Sequence, residues 1–330
     1  MQLAGQRLMV GFDGTEIDPT LKFLIDRIKV GGVVLFAANL ISPEQIKQLC
    51  LSIQQYAVSC GQPPLFIAID QEGGQVARLR EPFTRFHGSP YIKDKKDAEH
   101  FARVTAKELS SVGINMNLAP VLDVAFNGPE SIMAKRAFGP DSRWVADLGV
   151  TVIEHLQANG IISVAKHFPG IGRTVLDSHL EMPVLEIDAD TLQTTDLIPF
   201  AAAIQHAVAG IMLSHIYYPK IDLKWPASLS AVIARDMLRD RMGFNGVVLT
   251  DDLDMGAIKN HYDLKTVIHR ILAADIDMAL ICHQGPDIEN AFELILSALS
   301  SSREAKAKGE ASVNRILNLK ARYLDGRLTG

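Results

Sequence analysis

Cysteine is scarce in this chain: three in 330 residues, Cys50, Cys60 and Cys282, an odd number with no CxxC spacing. That scatter excludes a disulfide framework and a thiolate zinc site, and it fits a reducing compartment. Positive charge is not in excess either. A net charge of -5 and a pI near 6.1 argue against nucleic acid or an anionic membrane as the main partner, because the average surface attracts neither. No apolar run approaches the length of a membrane span, and the N-terminal MQLAGQRLMVGFDGTE lacks a basic stretch followed by a sustained apolar core. The expected location is the cytoplasm. Cofactor and metal fingerprints are missing as well. DQEGGQVAR at 70 to 78 has paired glycines but not GxGxxG, PGIGRT lacks the Walker lysine, and neither HExxH nor GxSxG occurs. No cofactor and no metal are expected.

What the chain does have is short apolar runs at intervals: LMVGF at 8 to 12, VVLF at 33 to 36, LFIAI at 65 to 69, INMNLA at 114 to 119, IISVA at 161 to 165, GIMLS at 210 to 214, GVVLT at 246 to 250 and DMALIC at 277 to 282. Between most of them lie amphipathic segments of helical length. One, SPEQIKQLCLSIQQYAVSC from Ser42, opens with a capping-box pair, Ser42 and Gln45, and with Pro43 at the first helical position. Strands alternating with helices predict a parallel sheet. Eight such units without a Pro- or Ser-rich linker predict one closed (β/α)₈ barrel spanning residues 1 to 330, with a doubly wound open sheet as the competitor.

Polar side chains follow these buried runs repeatedly. LFIAI leads into Asp70, IISVA into Lys166 and His167, GIMLS into His215, GVVLT into Asp251 and Asp252, and DMALIC into His283. Strand ends turn polar wherever a chain meets water, but in an α/β barrel they also converge on one mouth, where active sites are built. The densest stretch is KHFPGIGRTVLDSH, Lys166 to His179, whose Pro169, Gly170 and Gly172 rule out a long helix. Asp177 and His179 stand two residues apart, so in an extended segment they project to the same side. A carboxylate beside an imidazole favours its protonated form and orients the ring, as a general acid requires.

The same stretch resembles the KHFPGHGDTxxDSH loop of the bacterial β-N-acetylglucosaminidases of glycoside hydrolase family 3, and GVVLTDDLDM resembles their GVVxSDDLxM strand end. GGVVLFAAN, IDQEGGQVARL, NLAPVLDV, KRAFGPD, LSHIYYP and PASLS extend the likeness, in order, over nearly the whole chain. The resemblance implies an exo-acting, retaining hydrolase of terminal β-linked N-acetylglucosamine, typically in cytoplasmic peptidoglycan recycling. Asp251 matches the nucleophile, His179 the acid/base and Asp177 the residue that orients it. Asp70, Arg78, Arg136, Lys166 and His167 match the positions that hold the terminal sugar. Asp123 and His215 fall in matching segments as supports, and Met255 as pocket wall or core. A retaining mechanism needs a carboxylate to attack the anomeric carbon and a proton donor for the leaving oxygen, and these residue types supply both.

Three positions depart from the pattern: Ile171 replaces the histidine of PGHG, Arg173 its following aspartate, and Gln75 the first arginine of GGRVxR. Arg173, four residues before Asp177, could pair with that carboxylate or point to solvent. Two further readings follow. One is a phosphorylase, since a histidine acid/base repels attacking phosphate less than a carboxylate and Arg173 adds positive charge; the other is a sugar-binding barrel with impaired catalysis.

Overall fold

A computed structural model describes residues 2–126, 128–176 and 181–325. Eight parallel strands close into a barrel: β1 (Leu8–Val10), β2 (Gly32–Leu35), β3 (Phe66–Ile69), β6 (Met116–Asn117), β7 (Ile162–Phe168), β8 (Gly210–Leu213), β9 (Val247–Asp252) and β10 (Met278–Ile281). All eight apolar runs are strands, and β10 closes the ring by pairing with β1 through Leu8 opposite Ala279. Two strands were not anticipated. β4 (Gln71–Gly73) and β5 (Val76–Ala77) form an antiparallel hairpin, and the paired glycines at its turn adopt φ of +85° and +61°, where a side chain is strained.

Side-chain parity explains how the barrel fills. Phe66 and Ala68, Ile162 and Val164, Val247 and Leu249, and Met278 and Leu280 belong to an inner cluster, while Ile67, Ile69, Ala165, Ile211, Val248, Ala279 and Ile281 belong to the layer beneath the helices. Successive residues of a strand face opposite sides, and a barrel wrapped in helices buries both, so the runs are apolar throughout rather than alternating. The helix Pro43–Ser59 begins where expected: Ser42 Oγ accepts from Gln45 N at 3.2 Å, while the Gln45 side chain reaches Ile41 N instead of Ser42 N.

The helix Arg303–Leu324 stoppers the end of the barrel where the strands begin, adding Ile316, Leu319, Tyr323 and Leu324 to the inner cluster. It is tied there by Asp277, fully buried, which accepts from Arg239, Arg315, Ser312 and the Val248 backbone. Beside it Lys320 is 1% exposed, its Nζ donating to Gln6 Oε1 at 2.8 Å and lying 5.1 Å from the Phe66 ring centre. The polar cavity at the carboxyl ends of the strands lies on the opposite face. Among the described residues, no helix is long and apolar enough to cross a membrane.

Candidate active site

Continuing the inward parity past the strand ends builds the site. Phe66 and Ala68 lead to Asp70, Ile162 and Val164 to Lys166, Val247 and Leu249 to Asp251, and Met278 and Leu280 to Cys282. All four line one cavity of about 170 Å³ at the carboxyl ends of the strands, together with Arg78, Arg136, His167, Asp252 and an apolar wall that includes Phe36, Ile171, Met212 and Met255. Every sugar-binding residue expected from sequence is therefore in one place, with Asp251 among them. Asp177 and His179 lie outside the described residues.

A chain of charges organises the floor. Lys166 Nζ donates to Asp70 Oδ1 at 2.7 Å and forms an ion pair with Glu72 Oε1, also at 2.7 Å, and its side chain is 3% exposed. Arg136 forks onto the same Glu72, with Nε to Oε2 at 2.9 Å and Nη2 to Oε1 at 2.7 Å. Arg78 Nη2 approaches Asp70 Oδ2 at 3.4 Å from the hairpin side. Burial alone would raise the Asp70 carboxyl, but Lys166, Arg78 and Arg136 outweigh it and hold the group at about 2. Burial likewise opposes the charge on Lys166, and Asp70 and Glu72 reverse the effect, raising it above the ordinary lysine value. Asp70 and Lys166 are thus charged throughout the neutral range. Arg78 Nε is buried with no hydrogen-bond partner among the described residues. Such an orphaned donor inside a polar cavity is what a ligand oxygen would satisfy.

His167 is fixed from behind. Asp123, fully buried, meets its Nδ1 at 2.7 Å and accepts the Ile171 N–H at 2.8 Å, so one carboxylate holds both the ring and the turn after it. Two cis peptide bonds, Lys166–His167 and Phe168–Pro169, bracket this ring. Gly172 completes the turn, because a Cβ there would stand 2.0 Å from the Val124 carbonyl oxygen. His215 supports the strand that carries Asp251: its Nε2 lies 2.8 Å from the Asp252 carbonyl oxygen and its Nδ1 2.7 Å from Ser228 Oγ. Asp123 and His215 therefore lie behind the residues that line the cavity.

The adjacent carboxylates of β9 have opposite environments. Burial would raise Asp251, but the His167 and His215 imidazoles, the Asp252 N–H and the Lys166 ammonium hold it below the ordinary carboxylate value. Burial does raise Asp252, reinforced by its neighbours Asp254 and Asp251. Environments that push two titratable groups apart separate their roles, and here Asp251 is the one kept ionised. Asp252 Oδ1 accepts from the backbone of Asp254 and Cys282, an anchor for the loop.

Two sequence readings change. His283 does not join the cavity; its side chain is 78% exposed and lies 3.3 Å from Asp254. Arg173 does not point to solvent: Nε donates to the buried Asp196 at 2.9 Å, Nη2 to Thr195 Oγ1 at 3.0 Å, and the guanidinium lies 3.9 Å from the centre of the Phe126 ring. Its pairing with Asp177 falls outside the described residues. Glu72 was missed, although it stands two residues after Asp70 in IDQEGGQVARL, where same-side spacing was the available signal. Among the described residues Asp252, Asp254 and His283 bring ligand-type atoms within 4.8 Å of one another. Lys259 already donates to Asp254 at 2.8 Å, so the set is an ion-pair cluster.

A profile of the glycosyl hydrolase family 3 N-terminal domain matches residues 4–319. A β-hexosaminidase of Nitrosomonas eutropha is 34% identical over 327 residues, covering 94% of this chain and 91% of that protein. The structure of a family 3 β-N-acetylglucosaminidase from Paenibacillus superposes with a TM-score of 0.94 at 35% identity over 98% of this chain, which spans 62% of that longer one. NagZ of Neisseria gonorrhoeae, solved with N-trifluoroacetyl-D-glucosamine, superposes with a TM-score of 0.76 at 27% identity, over 94% of this chain and 98% of that one. With the match running over nearly its whole length, the chain belongs to glycosyl hydrolase family 3 and is a glycoside hydrolase.

Proposed function

We propose that this chain is an exo-acting β-N-acetylglucosaminidase that releases terminal β-linked N-acetylglucosamine with retention, from peptidoglycan fragments or related oligosaccharides, in the cytoplasm. The observation that carries the reading is Asp251, held ionised at the wall of a cavity whose floor presents Lys166, Arg136 and Arg78. Cations bridged by carboxylates suit a ring of hydroxyls, to which charged groups make strong, directional hydrogen bonds. The complex of the Neisseria protein with an N-acylated glucosamine supports the same sugar class.

In this reading Asp251 attacks the anomeric carbon, and the glycosidic oxygen leaves with a proton from His179, oriented by Asp177. Water, deprotonated by the same imidazole, then releases the sugar. Asp70, held at about 2, is too acidic to donate that proton near neutrality, which leaves the task to a different group. The phosphorylase reading loses the support of Arg173, which is engaged by Asp196, Thr195 and the Phe126 face.

The test compares kcat/KM on an aryl β-N-acetylglucosaminide and the matching β-glucoside, with and without phosphate. A preference of at least ~100-fold for the acetamido sugar is expected, with free N-acetylglucosamine as the product, because a site that hydrogen-bonds a substituent rejects the analogue lacking it. Equal rates on both sugars, or N-acetylglucosamine 1-phosphate as product, would overturn the reading.

A further inference from the structure

We infer that Glu72 is a positioning residue for the sugar site: a buried carboxylate that aims Lys166 and Arg136 at the substrate without touching it. The inference rests on the β-N-acetylglucosaminidase reading and names a determinant of how that sugar is held. Glu72 is 4% exposed, and the residues lining the cavity do not include it. Yet both of its oxygens are engaged. Oε1 accepts from Arg136 Nη2 at 2.7 Å and forms an ion pair with Lys166 Nζ at 2.7 Å, and Oε2 accepts from Arg136 Nε at 2.9 Å.

That arrangement has three consequences. First, two cations share one oxygen, so without the carboxylate their charges would face each other across a few ångströms in a poorly screened interior. Second, the donors are rationed. An ammonium has three N–H groups; Asp70 takes one of those on Lys166, and the charge of Glu72 holds the Nζ in place while the others face a hydroxyl. The fork on Arg136 similarly consumes Nε and one Nη2 hydrogen and turns the remaining edge of the guanidinium away from Glu72. Third, Glu72 holds a loop. Arg136 sits outside regular structure, between the short 3₁₀ turn Gly128–Glu130 and the helix Ser142–Ala158. Among the described residues its guanidinium also approaches Met133 Sδ at 3.9 Å, on its own loop. The fork to Glu72, 64 residues away in sequence, is what fastens Arg136 to the barrel.

Because the donors bind the sugar before and during reaction, losing their aim weakens ground state and transition state alike, and the defect shows in KM more than in kcat. Glu72→Gln keeps the size but replaces one acceptor oxygen by a donor facing two cations. KM for an aryl β-N-acetylglucosaminide is expected to rise roughly tenfold or more, with kcat within about threefold of wild type, since a buried cation left without its partner costs that order of affinity. The dissociation constant of N-acetylglucosamine, measured by calorimetry, is expected to rise in parallel. Glu72→Asp keeps the buried charge, and therefore the fold, but falls one methylene short of the fork; it is expected to give an intermediate KM, a graded rescue that a purely structural role would not produce. Wild-type KM in a folded Glu72→Gln or Glu72→Asp protein overturns the inference, as does a loss confined to kcat or to melting temperature. A wild-type protein that neither binds nor hydrolyses the N-acetylglucosaminide overturns instead the reading on which it rests, and the positioning role falls with it.

Discussion

Asp251→Asn is expected to lower kcat on an aryl β-N-acetylglucosaminide by at least ~10³-fold, about 4 kcal/mol of barrier, with KM little changed. The amide is nearly isosteric and keeps an oxygen to accept the Asp252 N–H, now at 2.8 Å, so the strand end is preserved while the proposed nucleophile is lost. Asp252→Asn is the matched control. Its carboxyl is raised by burial and its contacts run to the backbone of Asp254 and Cys282, so its loss disturbs the loop and costs far less in kcat. The acid side of the pH profile follows from the same environment. Asp251 must be ionised to attack, and its value is lowered in the folded protein, so activity persists as pH falls and is lost only below the ordinary carboxylate range. Equal losses in the two variants, measured side by side, would remove Asp251 from its role.

Lys320→Met is expected to stabilise the protein at pH 6 and to do so less and less as the pH rises. Burial lowers the Lys320 ammonium from 10.5 to about 7 in the folded chain. Below about 7 the lysine is charged in both states, and folding carries the full cost of burying that charge. Between about 7 and 10.5 the unfolded chain holds a proton that the folded one does not, so wild-type stability climbs by ~1.4 kcal/mol per pH unit. Above 10.5 both are neutral and the difference vanishes. Methionine fills a similar volume beside Phe66 and removes the charge, at the expense of the bond to Gln6. A gain of roughly 2–4 kcal/mol at pH 6 is expected, as for other buried charges replaced by apolar groups. Denaturant titrations of wild type and variant at pH 6 and 9 measure it. A difference between the two proteins that does not change with pH would show that Lys320 folds without a depressed value.

The barrel was legible because its strands are buried on both faces, so each appears as an apolar run, and because five of the eight runs lead directly into polar residues. Parity carries more than was taken from it. Counting in steps of two from Val247 and Leu249 reaches Asp251 and passes Asp252, and from Ile162 and Val164 reaches Lys166. The same counting does not extend to His283, which falls on the opposite parity from Met278, Leu280 and Cys282 and turns out exposed. Pairings between distant segments were not legible. Lys166 meets Asp70 across 96 residues and Arg136 meets Glu72 across 64, and nothing local marks either partner. Arg173, which in sequence could pair with Asp177 or face solvent, meets Asp196 in the fold, and nothing local marks Lys320 as buried until its helix plugs the barrel. In each case burial or partner choice is decided by packing, which outweighs the local pattern.

The most direct test of the account is to trap the intermediate. A slow fluorinated N-acetylglucosaminyl substrate, followed by proteolysis and mass spectrometry, is expected to leave a glycosyl ester on Asp251, and the first sugar released in the uninhibited reaction is expected to be the β-anomer. A label on any other residue, or initial release of the α-anomer, would contradict the account.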